Sequence, residues 1–236
     1  MKKMLIANWK SNKTEEEVAA WLQEFGASAV LQQDISVSVV LAPAAPFLPM
    51  VAAFCQEHSQ ISVAAQDVSR FPLGSYTGAV AAAQLASLGV SSVIVGHSER
   101  RRYFGETNQF VAQKVDLLLE AGITPVVCIE EEGIQSQVEL ISAQHREKCI
   151  VAYEPLSAIG TGMGEDIPQV QKVVAEVKTA FGDVAVIYGG SVDERNLPEY
   201  LLASDGVLVG GGSLDVKEFI QLLTEANASK SEPRAK

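Results

Sequence analysis

Short apolar runs alternate with longer amphipathic segments along the whole chain. Eight of the runs are too short for a helix and are rich in valine or isoleucine, so each predicts a strand buried on both faces. They are Met4–Asn8, Val37–Ala42, Ile61–Ala65, Val93–His97, Pro125–Ile129, Cys149–Tyr153, Val184–Tyr188 and Val207–Gly210. Strands of this kind are typical of parallel sheets covered by helices.

The segments between the runs carry the spacing of amphipathic helices. The stretch from Glu15 to Leu31 predicts one helix, and Thr14 with Glu17 forms the sequence pattern of a capping box at its start. Pro168 stands near the start of another predicted helix. The apolar positions that define the first helix face are Val18, Trp21, Leu22 and Phe25.

Eight strand–helix units predict a single-domain α/β fold, a closed (β/α)8 barrel over residues 1–226. Residues 227–236 have no periodicity, and we expect them to form a frayed tail. The alternative is a doubly wound open sheet, which would call for a glycine-rich fingerprint after its first strand. The first strand runs instead into Asn8-Trp9-Lys10, which favours the barrel.

The amino-acid composition limits the kinds of molecule that the protein can be expected to bind. The 236 residues are 47% hydrophobic and 20% charged, with a net charge of −11. An acidic chain is a poor partner for nucleic acid or for an anionic membrane surface, and no stretch is long enough to span a bilayer. An anionic substrate would therefore be attracted by local positive groups.

Cysteine usage favours a reducing compartment. Cys55, Cys128 and Cys149 are widely spaced and odd in number, which fits neither a disulfide framework nor a zinc pattern. No leader-like segment follows Met1. We expect free, mostly buried thiols and a cytoplasmic protein.

Polar residues collect where the predicted strands end, which is where barrels of this kind place their catalytic groups. A partly desolvated carboxylate such as Glu154 suits a general base, although it could equally be ion-paired as structural glue. His97 precedes a predicted helix start, and it could be a neutral hydrogen-bond donor or simply a half-buried histidine. Lys10 would supply a local cation.

Two glycine runs, 189–190 and 210–212, follow neighbouring strands and precede helical patterns. Backbone N–H groups at such turns can approach a phosphate, although glycines also serve simply to make tight turns. No metal-ligand cluster and no nucleophile motif is present in the sequence. One base, one neutral donor, one cation and a phosphate cradle together favour proton abstraction beside the carbonyl of a small phosphorylated compound.

Seven motifs in order along the chain resemble the triosephosphate isomerase family. They are "ANWKSN", "AAQDVS", "YTG", "VIVGHSERR", "YEPLSAIGTG", "IYGGSV" and "GVLVGGGSL". The resemblance implies interconversion of dihydroxyacetone phosphate and D-glyceraldehyde 3-phosphate through an enediolate, without a cofactor or a metal. It also implies a role in glycolysis and gluconeogenesis.

The same resemblance assigns roles by position. Glu154 matches the base and His97 the neutral electrophile, while Glu99 matches a supporting carboxylate near Lys10. The residues matching the substrate-binding positions are Asn8, Lys10, Gly160, Ser191, Gly210 and Gly211.

Three further expectations follow from the resemblance. Residues 158–162 match the tip of a mobile lid, but the hinges depart from the family pattern, with Ser157 on one side and Met163-Gly164-Glu165 on the other. The segment from Glu130 to Lys148 is shorter than usual, which leaves open whether it forms a full helix. A homodimer is implied, formed through the loop Gln66 to Gly78.

Two other functions stay open at this stage. The first is a different isomerase or epimerase of a sugar phosphate on the same fold, which would need a metal or other residues than Asn8, Lys10, His97 and Glu154 at the strand ends. The second is a weakly active or non-catalytic homologue, for which the altered hinges are the support. An isomerase assay separates both from the leading hypothesis.

Overall fold

The fold is a closed barrel of eight parallel strands in chain order, seen in a computed structural model that describes residues 2–155 and 164–228. Each strand pairs with the next, and β1 closes the barrel on β8. The predicted barrel is confirmed, and the open doubly wound sheet is wrong. The strands are β1 Met4–Asn8, β2 Ser38–Ala42, β3 Ile61–Ala65, β4 Ser92–Val95, β5 Thr124–Ile129, β6 Ile150–Tyr153, β7 Ala185–Tyr188 and β8 Gly206–Val209.

Every predicted strand overlaps an observed one, and most ends agree within a residue. The largest difference is at β4, which was predicted to continue to His97 but ends at Val95. Gly96 adopts a left-handed φ of 72° and turns the chain out of the strand. His97 therefore begins a helix instead of ending a strand.

Helices cover the outside of the barrel. None of the helices among the described residues is long and apolar enough to cross a membrane. In this part of the chain the α-helices are α1 Glu15–Gly26, α2 Leu48–Glu57, α3 Ala82–Ser87, α4 Ser98–Phe104, α5 Asn108–Glu120, α6 Ile134–Val138, α7 Ala143–Arg146, α8 Ile167–Phe181, α9 Leu197–Ala203 and α10 Val216–Ala228.

The first helix is shorter than predicted. The capping box at Thr14 and Glu17 is present, and the predicted apolar face is buried. The helix ends at Gly26, because Ser28 is extended and its hydroxyl donates to the Phe25 carbonyl. A separate 3-10 helix then covers Ala29–Gln32, so the prediction of one helix to Leu31 is wrong.

The segment 130–148 holds no full helix. It contains a 3-10 turn at Glu131–Gly133 and the short helices α6 and α7. At the end of the chain, α10 continues to Ala228, two residues beyond the predicted barrel boundary. The Asn227 side chain holds this end, since its Oδ1 accepts the Ser36 N–H at 2.6 Å.

The core has two layers, because side chains alternate between the two faces of each strand. On each strand, every second residue fills the barrel interior, and the residues between them pack against the helices. Asn8 follows the interior residue Ile6 by two positions, and Glu154 follows the interior residue Ala152 by two positions. Both polar side chains therefore lie at the mouth of the barrel. The interior layer consists of Ile6, Val40, Ala42, Ala64, Ile94, Val126, Cys128, Ala152, Ile187 and Leu208.

Closure of the barrel depends on a close approach at Gly206, which pairs with Met4. A Cβ at Gly206 would lie 2.3 Å from the Met4 carbonyl oxygen. We expect Gly206→Ala to lower the free energy of unfolding by about 1–3 kcal/mol, measured by urea denaturation, because the β1–β8 pair must separate to admit the methyl group.

Gly133→Ala is the matched control. A Cβ at Gly133 would meet only the Ile129 side chain, at an ordinary distance of 3.6 Å, so its stability should stay near that of the wild type. Equal stability of the two variants would contradict the closure argument.

Candidate active site

A cleft of about 330 Å³ opens at the carboxyl ends of the strands. Its walls come from the ends of β1, β4, β6, β7 and β8, so it lies where the sequence analysis predicted a site. The lining residues are Asn8, Lys10, His97, Glu154, Gly189, Gly190, Ser191, Val192, Asp193, Asn196, Leu208, Val209, Gly210, Gly211 and Gly212.

Glu154 is a nearly inaccessible carboxylate, with 1% of its surface exposed. Its Oε2 accepts the backbone N–H of Ser98 at 2.8 Å. Its Oε1 lies 3.0 Å from Nε2 of His97. Both carboxylate oxygens therefore have a donor, which is what a carboxylate at this depth needs.

His97 reaches the cleft because of the turn at Gly96. It is the N-cap of α4, and its Nδ1 accepts the backbone N–H of Glu99 at 3.2 Å. A nitrogen that accepts a hydrogen bond carries no proton, so the neutral imidazole holds its proton on Nε2, facing Glu154. The Glu99 carboxylate lies 3.8 Å from Nδ1, too far to replace that hydrogen bond.

Lys10 is held in an uncommon backbone conformation, with φ at 53°. Asn8 stabilises it by accepting the Lys10 N–H at 3.1 Å, and the Gln66 amide donates to the Lys10 carbonyl at 2.9 Å. Its Nζ forms an ion pair with Glu99 at 2.6 Å. Side chains from three parts of the chain thus fix one ammonium group at the cleft.

The two glycine runs form one side of the cleft. A Cβ on Gly189 would lie 3.0 Å from Cγ of Glu154, so the absence of a side chain there makes room for the carboxylate. A Cβ on Gly211 would meet nothing within 4 Å, which leaves its backbone open to the cleft. The Ser213 hydroxyl donates to the Gly210 carbonyl at 2.7 Å and fixes the turn.

Cys128 is a neighbour of Glu154 that the sequence analysis placed only among the buried thiols. It is fully buried, and it lies close enough to Glu154 to feel the charge of the carboxylate. Burial, and then the Glu154 carboxylate, raise the pKa of this thiol well above its usual range, so it stays neutral. Strand alternation could have revealed this neighbour of Glu154, because Cys128 pairs with Ala152 and, like Ala152, lies on the interior face of its strand.

The structure brings most of the predicted site residues together. Asn8, Lys10, His97 and Glu154 line one cleft, together with three predicted phosphate-binding residues, Ser191, Gly210 and Gly211. Glu99 lies behind Lys10 as its ion-pair partner. Gly160, Ser157 and Met163 lie outside the described residues.

Other residues near the site were not predicted to serve it. Gln66 was named only as the start of the dimer loop, yet its amide holds the Lys10 backbone. Ser98 contributes its N–H to Glu154, which no sequence pattern indicates. Within residues 2–155 and 164–228, no group of three His, Cys, Asp or Glu side chains is arranged to hold a metal ion.

Comparisons with known proteins identify the family of the chain. The sequence profile of the family described as "Triosephosphate isomerase" matches residues 3–226. Proteins named "Triosephosphate isomerase" from Thermus thermophilus and Paracidovorax citrulli are 38% and 40% identical, covering 94% and 95% of this chain and 98% of each relative. One from Mycoplasma mobile is 35% identical over 94% of this chain and 99% of its own. The chain therefore belongs to the triosephosphate isomerase family of enzymes.

Proposed function

We propose that this protein interconverts dihydroxyacetone phosphate and D-glyceraldehyde 3-phosphate through an enediolate, with Glu154 as the base. The observation that carries the proposal is the 3.0 Å contact between Glu154 and His97 at the end of a cleft whose walls are glycine turns and Lys10. This contact supports the proposal, because proton transfer between adjacent carbons requires a base and a neutral donor side by side.

Glu154 would take the proton from the carbon beside the carbonyl and return it to the neighbouring carbon. Its Oε2 stays anchored on the Ser98 N–H, which fixes the direction of Oε1. Oε1 shares the His97 proton. A substrate oxygen that takes over this hydrogen bond would free Oε1 to act as the base, so that binding activates the carboxylate.

His97 would stabilise the enediolate as a neutral hydrogen-bond donor. The N–H of Glu99 occupies Nδ1, so only Nε2 can donate toward the substrate. A preorganised donor of this kind stabilises the developing charge on oxygen without reorganising in the reaction step.

Lys10 and the glycine turns would hold the anionic substrate. The protein carries a net charge of −11, so the global field repels a phosphate ester and local groups must attract it. The Lys10 ammonium supplies one such group at the cleft. Backbone N–H groups around Ser191, Gly210 and Gly211 would supply the others.

The cellular role follows from this chemistry and from the family. We assign the protein to glycolysis and gluconeogenesis, where these two triose phosphates are exchanged, and to the cytoplasm. Free cysteines support a reducing compartment, since Cys55, Cys128 and Cys149 form no disulfide.

A homodimer is part of the proposal. The loop from Gln66 to Gly78 carries the exposed side chains of Phe71, Leu73 and Tyr76. Phe71 stacks on Tyr76 at 4.5 Å, so the loop presents a preformed apolar surface. Exposed apolar clusters of this kind mark protein–protein contacts, and a second copy of the chain is the proposed occupant.

Glu154→Asp tests the base. The shorter side chain withdraws the carboxylate by roughly 1 Å, so we expect kcat to fall by about 100-fold with a smaller change in KM. The measurement is isomerisation of glyceraldehyde 3-phosphate by the purified proteins. The control is Glu16→Asp, an exposed position in the first turn of α1, which should retain wild-type rates.

Two outcomes would count against the proposal. An inactive wild type would sink the assigned reaction, and an active wild type with an equally active Glu154→Asp variant would sink the role of this residue alone.

The histidine tautomer can be read directly. In ¹⁵N NMR spectra near pH 7 we expect His97 to carry its proton on Nε2 and none on Nδ1, because Nδ1 accepts the Glu99 N–H. His145, whose Nδ1 contacts the Asp116 carboxylate at 2.7 Å, is the internal reference for the opposite arrangement. A proton on Nδ1 of His97 would exclude the proposed electrophile geometry.

The oligomeric state is tested by mass in solution. Light scattering should give twice the 25.2 kDa of the chain. Leu73→Asp, which puts a charge on the exposed loop, should shift the mass toward that of one chain. A wild type of 25.2 kDa would contradict the dimer.

A further inference from the structure

The backbone N–H and the backbone carbonyl of Glu165 each form a hydrogen bond with a tyrosine hydroxyl. The Glu165 N–H donates to the Tyr188 hydroxyl at 2.8 Å, and the Tyr200 hydroxyl donates to the Glu165 carbonyl at 2.8 Å. Tyr188 ends β7 and Tyr200 lies in the middle of α9. A single residue is thus held from two different elements.

The two tyrosines also act on each other. Their aromatic rings stack with centroids 4.0 Å apart. Glu165, Tyr188 and Tyr200 therefore form a closed ring of contacts, made of two hydrogen bonds to the Glu165 backbone and one stacked pair of side chains. Burial raises the pKa of both hydroxyls, so Tyr200 keeps the proton that it donates to the Glu165 carbonyl.

Glycines make room for the ring. A Cβ on Gly164 would come within 1.9 Å of the Tyr200 hydroxyl, and a Cβ on Gly190 within 2.0 Å of the Tyr188 hydroxyl. Gly164 has no left-handed φ that would demand glycine on conformational grounds. The requirement for glycine at this position comes from Tyr200.

The location of the ring connects it to the cleft. Tyr188 leads directly into Gly189, Gly190 and Ser191, which line the cleft. Glu165 lies two residues before α8 and on the same connection that leaves β6 at Glu154. The ring therefore joins the strand-7 side of the cleft to the chain that follows the candidate base.

We propose that Tyr200 is a positioning residue for phosphate binding, whose hydroxyl fixes the turn 189–191 through the Glu165 peptide and Tyr188. Tyr200 does not line the cleft, so its effect is exerted through the ring. The inference rests on the proposed function in one respect, namely that the turn 189–191 receives the phosphate of the substrate.

Tyr200→Phe tests the proposal because it keeps the stacked ring and removes only the hydroxyl. The loss of one hydrogen bond predicts that the dissociation constant for inorganic phosphate, followed by NMR titration, rises by about 3- to 10-fold. KM for glyceraldehyde 3-phosphate should rise by a similar factor with kcat unchanged. A residue that serves stability alone would leave both binding measurements where they are.

Ser204→Ala is the matched control. The Ser204 hydroxyl is buried at the end of the same helix and lies 2.7 Å from the carbonyl oxygens of Tyr200 and Gly206, which share its one proton, but it does not touch Glu165. Its removal should lower the melting temperature without weakening phosphate binding. Gly164→Ala should weaken phosphate as Tyr200→Phe does, and the double variant should lose less than the product of the two, because the ring is already broken.

These measurements test the positioning role of Tyr200 separately from the proposed isomerase reaction. Unchanged phosphate affinity in Tyr200→Phe, or equal weakening in Ser204→Ala, would overturn the positioning role. A wild type that binds phosphate through the ring but does not isomerise triose phosphates would retain the positioning role and refute the proposed function.

Discussion

The burial of one carboxylate constrains the rest of the site. Glu154 is almost fully withdrawn from water, so its oxygens need donors from the protein. Those donors come from the start of α4, through the Ser98 N–H and the His97 imidazole. They can reach Glu154 only because β4 and β6 flank β5 in a closed barrel and because Gly96 turns the chain at the end of β4. The closed barrel, the turn at Gly96 and the start of α4 together supply Glu154 with its hydrogen-bond donors.

The sequence pattern was sufficient where structure is local or periodic. Eight buried runs predicted eight strands, and the polar residues at their ends predicted which side chains share the cleft. It failed at α1, where Gly26 and the extended Ser28 interrupt a face that is still apolar to Leu31. Periodicity records which residues are buried but not whether the backbone between them stays helical.

Contacts between residues that lie far apart along the chain could not be predicted, for a different reason. The partner of Glu154 depends on which strand ends are neighbours, and that follows from barrel closure rather than from local composition. No pattern along the chain pairs Tyr200 with Glu165, although the Tyr200 hydroxyl meets the Glu165 backbone 35 positions earlier. Gly164 departed from the family pattern without an evident cause until Tyr200 was located beside it.

The backbone of Lys10 carries a consequence for engineering. A left-handed conformation at a residue other than glycine costs on the order of 1 kcal/mol or more. Glycine or asparagine at this position would relax the backbone and remove the ammonium group from the cleft. Selection for thermal stability alone would therefore favour replacements here that weaken binding of an anionic substrate. The residue marks a point at which folding free energy and ligand affinity respond in opposite directions to the same change.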